Sequence, residues 1–463
     1  MQARFLLGPA GSGKTHRCLS EVRAELLKSP EGLPLVLLAP KQATFQLERQ
    51  LLDYSRWGEP LAQASGSSPH QGQLHGYTRL QILSFERLAG FVLAEFSQSP
   101  PKLLDEEGRV MVLRALLAHK QKELKIFRAT ALLPGFAQQL SLLLRELQRH
   151  QHSPEKVFAL AGKLNLSTHL GDKLHDLALL LRAYLDWLDQ HELQDADSLL
   201  DLATTALQGE SKIENRKSKI RLAGLWLDGF AEMTPQELDL LAALMPSCER
   251  ATLAFCLPRA PKSALPRLST WSLVARTFQS LHARLASLSE VKVEIESLPA
   301  DSHETRFADN PVLGHLERHW ADPEPYPARS GSIQIQDSLR VVVCANPEAE
   351  ATFAAREILR HVRSGGRFRD VAVVVRALEG YHDVLRRVFH RYEIPFFLDR
   401  RERVAHHPLA ELTRYALRTA AFDWEHDDWF GALKTGLVHA REEDLDELEN
   451  EALARVQAPL IAK

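Results

Sequence analysis

The first fifteen residues constrain the fold more than any other stretch. Residues 2–7 form an apolar run of strand character, and Gly8-Pro9-Ala10-Gly11-Ser12-Gly13-Lys14-Thr15 follows without a gap. The octapeptide fits G-x-x-x-x-G-K-[ST] at each fixed position, and a helical pattern starts at its end. Glycine at positions 8, 11 and 13 lets a loop wrap closely enough for backbone N–H groups to face phosphate oxygens. Lys14 offers a point charge to the β- and γ-phosphates, and Thr15 an oxygen to Mg²⁺. The positive N-terminus of the helix adds to the same field. The spacing therefore predicts a P-loop that binds ATP with Mg²⁺.

Downstream, strand and helix signals alternate. A helical pattern runs to about residue 28, and residues 35–39 are a continuous apolar run, as in a strand buried on both faces of a parallel sheet. Residues 42–54 return to helix, 62–76 read as a polar loop, and 80–84 read as a strand leading into a helix over 85–96. Residues 222–227, ending at Asp228, and residues 251–257 predict two further strands around a helix at 235–245. This alternation predicts an α/β fold, a doubly wound P-loop lobe made of residues 1–102 and 208–258. Residues 103–207 carry Leu and Ala stripes with few strand signals, an all-helical insertion. Within the returning segment, 209–219 is charged and reads as a surface loop.

Residues 259–332 are predicted to be an irregular linker apart from a helix at 271–288. Residues 333–463 open a second β/α series. Strands are predicted at 339–344, 371–375 and 396–398, and helices at 348–362, 384–392, 407–421 and 444–456. Such a lobe is partial, because so few strands do not make a large sheet.

Composition excludes several classes. No apolar run approaches the ~20 residues of a membrane span. The four cysteines show no C-x-x-C spacing, which argues against a metal cluster or disulfide framework within this chain. With a strand at the N-terminus leaving no room for a signal peptide, a cytoplasmic location is expected. A net charge of −3 excludes a uniformly basic nucleic-acid binder. It permits a local track, since residues 356–403 hold 12 Arg and no Lys against 7 acidic residues. Solvated helix faces account for such a run equally well.

Asp228 closes a predicted strand, where a carboxylate holds Mg²⁺ opposite a P-loop. Capping the next turn is the competing reading. An ATP-hydrolysing helicase places Glu directly after this acid, as the base that orients water, and here the residue is Gly229. Without that carboxylate a rate contribution of roughly 10²–10⁴ is missing. Binding with slow or absent hydrolysis is expected, and no catalytic residue is assigned. Among the aromatics able to stack on single-stranded bases (Phe45, Phe85, Tyr381, Phe396, Phe397), Phe85 ranks first. It lies at a strand end on the ligand side of the sheet, with Arg87 close by.

The ordered set of motifs resembles one family. It comprises the P-loop, Leu37-Leu38-Ala39-Pro40 with Gln42, Ile82-Leu83-Ser84-Phe85 with Arg87-Leu88, and Asp228-Gly229-Phe230 with Thr234-Pro235-Gln236-Glu237. Residues 371–376 with Glu379-Gly380-Tyr381, Ile394-Pro395-Phe396-Phe397-Leu398-Asp399 and His407-Pro408-Leu409 complete it. The chain resembles the N-terminal part of the B subunit of the AddAB-type ATP-dependent helicase–nuclease, a UvrD-like superfamily 1 relative.

The resemblance implies two RecA-like lobes no longer used as the motor. It implies a partner A subunit that supplies translocation, and single- and double-stranded DNA ends as substrate in double-strand-break repair by homologous recombination. It places Arg376 where the second lobe reaches the nucleotide phosphates. It also implies a nuclease domain with an iron–sulfur cluster, but Asp446-Glu447-Leu448-Glu449-Asn450 resembles a position well before that domain. The chain therefore reads as a fragment whose four cysteines are not cluster ligands, without autonomous helicase or nuclease activity. Two alternatives stay open: an active superfamily 1 DNA-translocating ATPase, and a small-molecule kinase built on the P-loop.

Overall fold

The computed structural model describes residues 1–52, 76–96, 101–133, 135–163, 169–211, 220–298, 305–327, 335–398, 404 and 406–461. Of the loop expected at 62–76 only residue 76 is described; of that expected at 209–219, residues 209–211 are instead the end of a helix and the rest lie outside the described residues. Contacts divide the chain into two units, Met1–Arg340 and Val341–Lys463.

In the first unit the apolar runs become one parallel sheet. Its first elements are β1 (Gln2–Gly8), α1 (Lys14–Lys28), β2 (Leu35–Leu38), α2 (Thr44–Leu52), β3 (Leu80–Leu83) and α3 (Phe85–Phe96). The helical insertion then runs through β4 (Leu103–Leu104), α4 (Glu106–Lys120), α5 (Phe136–Arg149), α6 (Pro154–Lys163), α7 (His169–Gln190), β5 (Gln194–Asp195) and α8 (Leu199–Ser211). The chain returns as β6 (Gly224–Leu227), α9 (Pro235–Leu244), β7 (Arg250–Cys256), α10 (Ser272–Ala286), β8 (Lys292–Ser297), α11 (Pro311–Arg318) and α12 (Ile335–Ser338).

The large sheet has the order β3-β2-β6-β7-β1-β8, and its ladders are parallel. Every residue of β2 and β6 is buried, because helices cover both faces and leave no solvent side to alternate toward. Leu6, Leu35, Leu37 and Trp226 pack with Cys18, Leu19, Val22 and Leu26 of α1 on one face. Phe5, Leu7, Val36, Leu38 and Phe255 pack with α3, α9 and α10 on the other.

The insertion has its own core, with Leu113, Leu140, Leu144, Leu177, Leu181 and Tyr184 among its fully enclosed residues. It is tied to the sheet by α8, whose Leu199, Leu200, Ala203 and Leu207 join the core beneath the sheet, and by polar groups around Asp197. Buried Arg109 donates to Asp195 and Asp197, and Gln236 Nε2 donates to Asp197 O at 3.0 Å and Asp201 Oδ2 at 2.7 Å. Gln236 belongs to Thr234-Pro235-Gln236-Glu237, whose other residues start α9. Thr234 and Glu237 form a reciprocal capping box, with Pro235 at the first helical position.

Two sequence expectations are corrected here. Residues 259–332 are not merely a linker, since β8 pairs with β1 from Gln2↔Lys292 to Leu7↔Ser297. Lys292, Glu294 and Glu296 alternate with apolar residues on this edge strand, so the strand has no apolar run to announce it. The strands predicted at 339–344, across the boundary of the two units, and at 371–375 and 396–398 in the second unit do not form among the described residues. Val341, Val343 and Val374 are 90%, 95% and 90% exposed. A β-branched run signals local preference for extension, whereas a strand also needs a neighbour on its ladder.

That unit is otherwise helical: α13 (Pro347–Arg363), α14 (His382–Arg391), α15 (Pro408–Ala421), α16 (His426–Leu433) and α17 (Glu442–Ile461). Ala351, Ala355, Ile358, Leu385, Val388 and Phe389 make a small core between α13 and α14.

One carboxylate clamps α1 to the sheet. Glu21 accepts from Arg4, from Arg17 Nε at 2.9 Å, from Trp226 Nε1 at 3.1 Å and from Thr252 Oγ1 at 3.2 Å. Burial alone raises its pKa, but the bonds from Arg4, Trp226 and Arg17 outweigh that and hold it below the usual 4.5. A depressed carboxylate stabilises the fold above its unfolded pKa and loses that contribution as pH falls through the folded value. Glu21→Gln should therefore lower stability by about 1–2 kcal/mol at neutral pH. In thermal melts the gap from the parent should close below pH 4.5. A gap that persists unchanged into acid contradicts this assignment.

Candidate nucleotide site

The site starts where β1 gives way to α1. Gly8 ends the strand, and a Cβ there would lie 2.3 Å from Ser12 Oγ and 3.3 Å from Leu298 Cβ, so a larger residue would force the Ser12 hydroxyl to turn away and crowd Leu298. Gly13 caps α1 with φ +89°, a left-handed geometry that glycine adopts without cost. Lys14 Nζ folds inward, donating to Gly8 O at 2.8 Å and Pro9 O at 2.6 Å. Burial lowers its pKa.

Thr15 Oγ1 donates to Asp228 Oδ2 at 2.6 Å across 213 residues of sequence. Parallel register makes this meeting possible. The backbone N–H of Asp228 donates to Leu38 O at 3.0 Å, fixing the C-terminal end of β6 beside that of β2. Asp228 is only 8% exposed. Burial pushes its pKa up, while the Thr15 hydroxyl, the Lys14 charge and the Gly229 N–H act the other way. A buried carboxylate beside a hydroxyl is a fitting oxygen pair for Mg²⁺, which takes few protein ligands and completes its shell with phosphates and water. No group of three or more His, Cys, Asp or Glu side chains able to hold a metal occurs among the described residues.

A cleft of about 360 Å³ opens beside this pair, lined in part by Thr15, His16, Gln46, Gln50, Asp228 and Arg306. Gly229, also on its wall, has φ +87°, and a Cβ there would meet Pro40 Cδ at 3.1 Å. Glu232 is exposed, and Glu237 is engaged in the α9 cap, accepting from Thr234 N at 2.7 Å. Nothing in this turn takes the place of a carboxylate after Asp228.

Residues 305–318 roof the loop. Arg306 N–H donates to Gly11 O at 3.0 Å, the Phe307 ring lies against Gly11, and Glu317 Oε1 accepts from Ala10 N–H at 3.2 Å. Sequence reading missed Arg306 and Glu317. They lie about 300 residues from the P-loop in a stretch without a recognisable motif, and only the return of β8 beside β1 brings them there.

Gly8, Gly11, Gly13, Lys14, Thr15 and Asp228 thus converge at one place. Arg376 belongs to the second unit, exposed at a bend after residues 371–375. Phe85 is 3% exposed and packs edge-on against Phe230, with ring centroids 5.1 Å apart. The first residue of α3 points into the core, so Phe85 is a packing residue and not a stacking platform. Arg87 is exposed. Phe45 on α2 is 68% exposed, with the Arg49 guanidinium 6.0 Å from its ring centre. The cysteines do not fit an iron–sulfur cluster: Cys18 and Cys248 are buried in separate cores on the two faces of the sheet.

Residues 5–317 match the family model described as "ADDB, N-terminal". The chain is 39% identical over 98% of its length to the B subunit of the ATP-dependent helicase/deoxyribonuclease of Desulforudis audaxviator. Identity to the same subunit from Symbiobacterium thermophilum is 37% over 96% of the chain, and from Heliobacterium modesticaldum 37% over 98%. The match spans 37%, 36% and 35% of those relatives' own lengths, respectively.

The left-handed backbone at position 229 generates a prediction. Gly229→Glu should destabilise the chain by about 1–2 kcal/mol, because an L side chain is forced into that conformation against Pro40. It should add no ATP turnover, since the strained backbone does not present the carboxylate as a regular strand end would. Denaturant melts and a phosphate-release assay check both parts. A stable, DNA-stimulated ATPase contradicts them.

Proposed function

The chain belongs to the ADDB N-terminal family, and from that membership we propose that its first unit is a RecA-like lobe that holds MgATP without turning it over. The observation that carries the proposal is the Thr15–Asp228 pair at 2.6 Å, followed by Gly229 in a left-handed conformation. The sheet order supports the RecA-like reading. One parallel strand, β7, separates the P-loop strand β1 from the acid-bearing strand β6, and the ligand cleft lies at the carboxyl ends of the strands.

Each residue then has a defined task. The 8–13 turn presents backbone N–H groups to phosphate, and the start of α1 adds its partial positive charge. Lys14 exchanges the carbonyls of Gly8 and Pro9 for phosphate oxygens. Thr15 and Asp228 would hold the cation, which would supply charge neutralisation to the bound phosphates. Arg306 lines the same cleft, and Arg376 is proposed, on the family resemblance, as a further phosphate contact. With Gly229 offering no base, the bound triphosphate waits.

On the level of the whole protein, the chain is the helicase-like part of a subunit that works with an A-type helicase–nuclease partner. The relatives are each one lettered subunit of a helicase/deoxyribonuclease, which supports such a partner. Its proposed setting is the cytoplasm, on DNA ends, in double-strand-break repair by homologous recombination. Among the described residues no helix is long and apolar enough to cross a membrane. The nuclease and its iron–sulfur cluster are assigned to the portion of the relatives that this chain does not match.

For single-stranded DNA the exposed ring of Phe45, with Arg49 over it, replaces Phe85 as the proposed stacking surface, and Arg87 remains a proposed phosphate contact.

Two measurements test this reading. In equilibrium titration with a fluorescent ATP analogue and Mg²⁺, Lys14→Ala should weaken binding by at least about tenfold, the loss of one charge-assisted contact to phosphate. Binding indifferent to that change would place the nucleotide elsewhere. In a parallel titration with single-stranded oligonucleotide, Phe45→Ala should weaken binding roughly five- to a hundredfold, as one lost stack requires. Unchanged affinity removes Phe45 from the DNA surface.

A further inference from the structure

The roof over the P-loop carries a charge of the wrong sign for an open phosphate site. Glu317 lies on α11, a helix capped by Asn310, whose Oδ1 accepts from Leu313 N–H at 3.0 Å, with Pro311 at its first position. Val312 is buried and Phe307 lies between Gly11 and Gly314 of α11, so the segment is seated rather than loosely draped. Two backbone groups of the loop are taken up by it: Gly11 O by Arg306 N–H, and Ala10 N–H by the Glu317 carboxylate at 3.2 Å. Lys14 meanwhile satisfies itself on the loop's own carbonyls.

We propose that Glu317 is a resident anion of the nucleotide site, competing with the phosphates for the loop, so that a triphosphate enters only as α11 withdraws this carboxylate. The proposal rests on the assignment of the loop as a nucleotide site. It goes beyond it by naming the group that sets the affinity. The physical basis is simple. A loop built to face phosphate leaves N–H groups and a half-buried ammonium short of negative charge, and a carboxylate at hydrogen-bond distance supplies it. An incoming triphosphate meets like charge until that carboxylate leaves. Burial raises the Glu317 pKa, while Ala10 N–H and Lys14 favour its charged form.

Glu317→Gln separates charge from shape, because the amide oxygen still accepts from Ala10 N–H while the negative charge is gone. In titrations of the full chain with a fluorescent ATP analogue and Mg²⁺, Glu317→Gln should bind roughly three- to thirtyfold more tightly than the parent, the gap narrowing as salt is raised. Glu317→Ala should shift affinity the same way, and thermal melts confirm that both variants fold. Equal or weaker binding by the variants, with binding still abolished by Lys14→Ala, overturns the competing-anion role and leaves the nucleotide site intact. Binding in no protein, or binding insensitive to Lys14→Ala, overturns the site itself and the role of Glu317 with it.

Discussion

The hydrogen bond from Thr15 to Asp228 is the interaction on which the first unit's chemistry depends. It requires β6 to end level with β2, which the Asp228 N–H to Leu38 O bond secures. It requires α1 to start at Lys14, which the left-handed cap at Gly13 permits. It also requires the α1 face bearing Cys18, Leu19 and Val22 to seat against Leu6, Leu37 and Trp226, as the core on that side of the sheet provides. A shift of one residue in any of these ladders would turn the apolar residues of a strand toward the opposite face and separate the two oxygens.

Under the proposed reading, the site around that bond is organised to hold a nucleotide rather than to react with it. Its cationic group is half-buried, its carboxylate is screened from water, and the position next to the acid is a left-handed glycine near Pro40. A missing base would be easily regained by mutation if the backbone were a regular strand end. Here the local conformation itself opposes it. A nucleotide held in the proposed way would contribute as a ligand does, by stabilising the folded lobe and the state that binds it.

Much of this was legible in the sequence because the signals were local and dense. The P-loop spacing and the apolar runs at 35–39 and 222–227 each specify geometry within a few residues. What escaped was set by distant partners. β8 hides in an alternating charged stretch because it lies at the sheet's edge, and with it went Arg306 and Glu317. The runs around Val341 and Val374 promised strands, yet branching at Cβ favours extension without guaranteeing a ladder. Phe85 was misjudged for a related reason: a turn at the ligand end of the sheet says where a residue is, but not which way the first side chain of the following helix points. Phe45, one helix earlier, faces outward.

Holding without hydrolysis is tested most directly by the fate of the bound nucleotide. The chain would be loaded with γ-labelled ATP and Mg²⁺ in the presence of single-stranded DNA, and the bound fraction quenched and chromatographed over time. Intact triphosphate recovered long after saturation is the expected result. Stoichiometric conversion of the bound ATP to ADP and phosphate, lost on Lys14→Ala, would contradict it and return the chain to the active motors.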